Sequence, residues 1–420
     1  MRYDVAVAGA GFAGLSAAYA AVKKGKKTAV IARGAGNYSS SSGAFEMLGH
    51  IPGRSEAVTK PFDSVGDLAE ASEGHPYLLM GKEWLREASS IFLEMTNEIG
   101  IPYKGSPDVN IMIPTAIGAL YPVCMTLEQS FHQVTEKEGI AVVGITELQD
   151  FFPSLLAKAL GKRLGRDIAV KWVSLDVESG RGLNGIDCAR LLEKAEIRSK
   201  IAEQMKDGLN HPDLVIFPAV LGFHHHGEVR RHLEEAVQAP ILEVPTLPPV
   251  VTACRLGDAL RAWLLNSGVD FYSGVSACMS GADGKICSGL KLSFKGSRSR
   301  VISAGAFVLA TGGILGEGLT VYPDSVKEEV FDLPVDFPKP WTSPDFLDKA
   351  GQPMSRAGVR VNRRLQPLER EGGVVFENVF AAGSILSGYD PHIEKSGTGV
   401  AFCSGFRAGL SASGEEAANE

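Results

Sequence analysis

The opening of the chain carries the clearest pattern of apolar and polar positions. Tyr3-Asp4-Val5-Ala6-Val7-Ala8 is an apolar run of β type. Leu15, Ala18, Tyr19 and Val22 then recur at the i, i+3, i+4, i+7 spacing that predicts an amphipathic helix. Lys23 and Lys24 fall in its last turn, where cations favour the helix dipole, and Gly25 supplies a stop. Thr28-Ala29-Val30-Ile31-Ala32 predicts a second buried strand. Strand, helix and strand in about thirty residues make one parallel βαβ unit.

The later pattern is patchier. After Arg33 the chain turns Gly- and Ser-rich, with Ser39 to Ser42 followed by Gly43. Such a run reads as a solvated linker, or as a ligand loop, because doubly wound sheets bind ligands at the carboxyl ends of their strands. Residues 60–245 mix helical and strand patterns and read only as an inserted domain. Leu256, Leu260 and Leu264 mark a helix from Thr252 to Asn266, ended by Gly268. Val269 to Val275 predicts a strand, and Ala282-Asp283-Gly284-Lys285 a hairpin turn before a return strand. Val301 to Gly305 leads into an apolar strand, Ala306 to Ala310, that breaks at Thr311-Gly312-Gly313. Pro323 to Pro353 is Pro-rich and reads as irregular. Val379 to Ala382 predicts a short strand running into Gly383-Ser384, and Gly397-Thr398-Gly399 precedes a last helix.

A length of 420 residues suits two intertwined domains. The expected division is 1–60 with 246–320 and 354–420 in one domain, and 61–245 with 321–353 in the other. No apolar run approaches the roughly 18 residues of a bilayer span. The first strand begins too early for an export signal to precede it. A net charge of −7 disfavours a nucleic-acid surface, which needs clustered Lys and Arg. The six cysteines show no CxxC pair, which argues against an iron–sulfur cluster or structural zinc and for reduced thiols.

The strongest motif is Gly9-Ala10-Gly11-Phe12-Ala13-Gly14. In a GxGxxG loop between strand and helix the first glycine permits a tight turn. The second lets a phosphate approach the backbone, and the third allows close helix–strand packing. Free N–H groups at the helix start then face the anion. The acidic residue that holds an adenosine ribose at the end of the second strand is missing, because that strand ends Ala32-Arg33-Gly34. Either another group holds the ribose, or the ligand has none there, as with FMN. Arg33 reads as a phosphate partner or a solvated surface cation. Gly312, Gly313 and Gly383 end apolar strands where a bulky ring system needs residues without side chains. The His224-His225-His226 triplet is a poor metal site, since adjacent side chains diverge. His392, beside Asp390 and Glu394, is the candidate for proton transfer, with a structural histidine as the alternative.

The sequence resembles the dinucleotide-fold flavoproteins, through Gly9–Gly14, Ala310–Gly313 and Ala382-Gly383. Within them it resembles the B subunit of anaerobic glycerol-3-phosphate dehydrogenase, through the runs Ser42 to Pro52, Pro245-Thr246-Leu247-Pro248-Pro249, and Gly383 to Pro391. The resemblance implies an α/β fold. A Rossmann-like flavin-binding domain assembled from discontinuous segments would carry an inserted second α/β or α+β domain. It implies a flavin, FMN favoured over FAD, bound by Gly9, Ala10, Gly11, Phe12, Ala13, Gly14, Arg33, Ser42, Gly43, Thr311, Gly312, Gly313, Gly383, Ser384, Gly397 and Gly399. Implied partners are an FAD-bearing catalytic subunit plus a membrane-bound iron–sulfur subunit, which would hold a cytoplasmic chain at the inner face of the membrane. The complex would oxidise glycerol 3-phosphate to dihydroxyacetone phosphate and pass electrons towards quinone. Two other classes stay open: a stand-alone flavoprotein for another small organic substrate, and a flavin-free structural subunit.

Overall fold

The computed structural model describes residues 1–415 except positions 71, 133, 210 and 297. The chain divides into two compact units. One comprises Met1–Asn37, Glu46–Gly100 and Gly257–Glu420, the other Tyr38–Phe45 and Ile101–Leu256.

In the first unit the βαβ start forms as expected: β1 (Arg2–Ala8), α1 (Phe12–Lys23) and β2 (Thr28–Ala32). The two strands pair in parallel, Val5 opposite Thr28 and Ala8 opposite Ile31. They lie inside a seven-stranded sheet ordered Asp270–Ser273, β2, β1, Arg300–Leu309, Ile286–Phe294, Val275–Asp283. Strand Arg300–Leu309 changes partner along one edge. Its first half pairs antiparallel with Ile286–Phe294 and its second half parallel with Val379–Ala381. The stretch expected as one strand from Val269 to Val275 is split at Gly274, whose φ of +74° turns the chain into the hairpin.

The helix α1 differs from its expected amphipathic form. Phe12 to Ala21 are all buried, because the sheet lies on one side and helix Gly397–Ala412 covers the other. That cover depends on missing side chains: a Cβ at Gly409 would sit 2.8 Å from the Ala20 Cβ and 2.9 Å from the Ala17 Cα. Burial all round needs two apolar faces, and Ala17, Ala18, Ala20 and Ala21 provide them.

The expected division at residues 61–100 and 321–353 also shifts, since both stretches lie in the first unit. Helix Lys82–Glu98 belongs there because Phe92 packs edge-on against Phe12 and Phe402 at centroid distances of 6.3 and 5.3 Å. Phe331 packs against Phe307, and the Met279 N–H donates to the Val330 carbonyl, which ties 321–353 to the sheet.

The second unit is a four-stranded parallel sheet ordered Ile241–Val244, Leu214–Pro218, Ile140–Ile145, Ala169–Val173. Helices Pro153–Leu164, Ala195–Lys206 and His226–Val237 bury Leu156, Leu160, Ile201, Met205 and Leu233 in its core. Glu243 is buried at 5 % exposure between Arg230 and Arg255. Arg255 grips both its carboxylate oxygens at 2.7 and 2.9 Å, and Arg230 donates at 3.0 Å. Burial by itself would raise the Glu243 carboxyl, but the Arg255 and Arg230 charges and the Leu221 N–H outweigh it and hold the group at about 2. No helix among the described residues is long and apolar enough to cross a membrane.

Removing Glu243 would strand two buried guanidinium groups. Glu243→Ala is expected to cost about 3–5 kcal/mol in urea denaturation. In the unaltered protein the contribution of this carboxylate is present above its ordinary value of 4.5 and is lost as the pH falls towards about 2. An Ala variant as stable as the parent would remove the network from the account of this unit.

Candidate functional site

The site is built at the carboxyl ends of three adjacent parallel strands of the first unit. β1 ends at Ala8 and the chain turns at Gly9, whose φ is +121°. A side chain is impossible there: a Cβ would meet the Ala310 carbonyl and come within 3.0 Å of the Thr311 nitrogen. The Gly9 N–H donates to Ile31 O at 2.7 Å and the Ala310 N–H donates to Ala8 O at 2.7 Å, so the loop is stitched to both neighbouring strands. A Cβ at Gly14 would run into the Gly9 carbonyl, whereas one at Gly11 would meet nothing within 4 Å. Of the three glycines, then, two are demanded by the fold itself and Gly11 faces open space.

Helix α1 starts directly from this loop without a capping side chain and without an acidic residue in its first turn. Its first residues, Phe12, Ala13 and Gly14, are buried all the same. Ala10 is buried too, at 4 % exposure. A helix start normally satisfies its N–H groups with Ser, Thr, Asp or Asn, or with water. Here no such side chain is supplied, and the positive end of the dipole is left for an anion.

The two later glycine breaks converge on this loop. A Cβ at Gly383 would lie 2.6 Å from the Ala13 Cβ, and one at Gly313 would lie 2.6 Å from the Ser384 carbonyl oxygen. Gly312 and Gly383 have φ values of +89° and +76°, which glycine adopts without strain. Thr311 lies beside Gly9, and its hydroxyl is buried without a hydrogen-bond partner. Gly36, which no motif singled out, also closes on the loop: its Cβ would come within 2.7 Å of the Gly11 nitrogen. Its signal was the Gly-rich stretch after β2.

The other expected site residues are distributed over both units. Arg33 is exposed just beyond β2, and Ala32 indeed leaves no carboxylate at the strand end. Ser42 and Gly43 belong to the second unit, where the Thr252 hydroxyl donates to Ser42 O at 2.8 Å and the Tyr103 hydroxyl donates to Gly43 O. With Ala44, Ser130, Glu243 and Thr252 they line a small cavity of that unit. Gly397 begins the last helix. Gly399 is a packing residue, since a Cβ would collide with the Tyr77 hydroxyl and lie 2.6 Å from Glu46 O. His392 lies on the short helix Pro391–Glu394, and its backbone N–H donates to Asp390 Oδ1 at 2.9 Å. His224 and His225 are exposed, with their N–H groups donated to the Glu193 carboxylate.

The structure adds a buried pair that no local pattern announced. His75 Nε2 lies 3.0 Å from Glu394 Oε2, both side chains being 1 % exposed. His75 Nδ1 accepts the Tyr77 N–H at 3.0 Å, so the proton of this ring sits on Nε2 and is donated to the carboxylate. Glu394 also accepts from the Ser396 hydroxyl at 2.9 Å and from the Asp390 N–H at 2.9 Å. The pair joins residues 319 apart in sequence, which is why spacing could not reveal it.

Buried uncapped amides, open space in front of Gly11 and converging glycine loops fit a flavin with its phosphate on α1. Residues 4–400 match the family described as "FAD binding domain". The chain is 30 % identical to the B subunit of anaerobic glycerol-3-phosphate dehydrogenase from Aliivibrio fischeri, over 97 % of this chain and 94 % of that one. It is 29 % identical to the protein of the same name from Vibrio cholerae, over 97 % and 96 %. Among solved structures, a 3-ketosteroid delta1-dehydrogenase from Sterolibacterium denitrificans is similar at a TM-score of 0.46 and 11 % identity, over 98 % and 99 %. The glycines yield a paired test by thermal melting and flavin titration. Gly11→Ala should leave the melting temperature of the flavin-free protein unchanged and weaken flavin binding about tenfold or more, whereas Gly14→Val should destabilise the fold by about 1–3 kcal/mol. Equal behaviour of the two variants would contradict the division of roles. The chain belongs to the FAD-binding-domain family of flavin-dependent oxidoreductases, and within it to the branch represented by the B subunit of anaerobic glycerol-3-phosphate dehydrogenase.

Proposed function

We propose that this chain is the flavin-carrying B subunit of a complex that oxidises glycerol 3-phosphate to dihydroxyacetone phosphate and passes the electrons towards quinone. The observation that carries the reading is the buried, uncapped start of α1 behind Gly9–Gly14, in a chain related along almost its whole length to proteins of that name. A bound flavin supplies the electron acceptor. The chain's own residues bind and orient it: the amides of Gly11 to Gly14 take the phosphate, and Gly312, Gly313 and Gly383 allow close approach of the ring system. Ser384, Gly397 and the exposed Arg33 complete the proposed contact set. We assign the flavin as FMN, because no carboxylate stands at Ala32 to hold an adenosine ribose.

The proposed partners are an FAD-bearing catalytic subunit plus a membrane-bound iron–sulfur subunit, and the chain would then work at the inner face of the membrane through them. His392 is the proposed proton acceptor. Its backbone N–H serves the Asp390 cap, so the ring can be exchanged without loss of the helix start.

Two measurements test this function. The first is the mass of the chromophore released from the purified protein by denaturation, which should be that of FMN; FAD would correct the flavin, and a colourless protein would remove the flavin reading. The second is turnover of glycerol 3-phosphate by the assembled complex. His392→Asn is expected to lower it by roughly a hundredfold; unchanged turnover would end the proposal for His392.

A further inference from the structure

Tyr389 is among the largest fully buried side chains of the chain, at 1 % exposure, yet its hydroxyl has no hydrogen-bond partner. Buried phenols nearly always find one, because an unpaired buried hydroxyl forfeits its hydration for nothing. The ring is held from behind: His75 packs edge-on to it at a centroid distance of 5.9 Å, and His75 is itself fastened to Glu394. Ser384, an exposed residue, lies beside the hydroxyl. Ser384 belongs to the Gly383-Ser384 turn, which packs on Ala13 through Gly383 and beside Gly313 through its carbonyl oxygen. The unpaired hydroxyl is therefore aimed at the turn that closes on the α1 loop.

We propose that Tyr389 is a flavin-binding residue whose hydroxyl takes its hydrogen bond from the bound flavin, with the His75–Glu394 pair as the positioning element that aims its ring. The proposal rests on the flavin reading above and extends it to a residue outside the glycine motifs.

The test is Tyr389→Phe in the full-length protein, followed by FMN and FAD titration and by melting of the flavin-free form. The change removes one oxygen and keeps the ring. If the partner is the flavin, the dissociation constant rises about tenfold while the melting temperature of the flavin-free protein stays the same or rises, since an unpaired hydroxyl has been deleted. If the partner is a protein group, the melting temperature of the flavin-free form falls and the dissociation constant does not move, which overturns the proposal. An unchanged dissociation constant with unchanged melting overturns it too. His75→Gln supplies the second arm: with its grip on Glu394 altered, it should shift the visible absorption band of the bound flavin, and an unmoved band would remove His75 from the positioning role. Failure of the parent protein itself to bind either flavin would reject the flavin reading, which separates that outcome from a failure at Tyr389.

Discussion

The first unit is organised around a helix start that the protein does not satisfy by itself. The amides of α1 are buried, uncapped and free of any acidic side chain in the first turn. Orphaned donors in a buried place cost stability unless a ligand takes them up. The surrounding backbone holds this arrangement open. Gly9 donates to Ile31 of β2, the preceding Ala8 accepts from Ala310, Gly14 lies against the Gly9 carbonyl, and Gly383 against Ala13. Each contact is between backbone atoms or small side chains, so the loop has few ways to relax and fill its own gap.

Behind the loop, the same requirement for small residues recurs. Gly405 and Gly409 let helix Gly397–Ala412 descend onto the Ala13 and Ala17 backbone, which converts a surface helix into a central one. The loop is thereby fixed from the sheet side and from the helix side. Polar pairing is used sparingly and in depth: His75 with Glu394 in the first unit, Glu243 with Arg230 and Arg255 in the second. In both, a carboxylate accepts several donors at once, which is how a buried charge is tolerated. The Glu243 network lies one residue before the end of strand Ile241–Val244, after which the Pro245-Thr246-Leu247-Pro248-Pro249 run begins.

The βαβ start, the hairpin at Asp283-Gly284, the helix near Thr252–Asn266 and the strand breaks at Thr311 and Gly383 were all legible from local pattern. Each depends on neighbours a few residues apart. The division into units was less so: helix Lys82–Glu98 joins the first unit through aromatic contacts of Phe92 with Phe12 and Phe402, which no local spacing encodes. The glycines expected to face a ligand separated for the same reason. Gly383 closes on Ala13 of the loop and Gly313 on Ser384, whereas Gly399 serves packing against Glu46 and Tyr77.

By itself, then, the sequence determined the phosphate-type loop, the absence of an acid at Ala32, and the family, because these depend on residue identity at short spacing. Only the tertiary structure decided which buried polar side chains find partners. Tyr389, Thr311, His75 and Glu394 acquire their roles from pairings and missing pairings between distant segments. Hydrogen-bond satisfaction in a buried space is a property of the packed molecule, and it has no periodicity to be read along the chain.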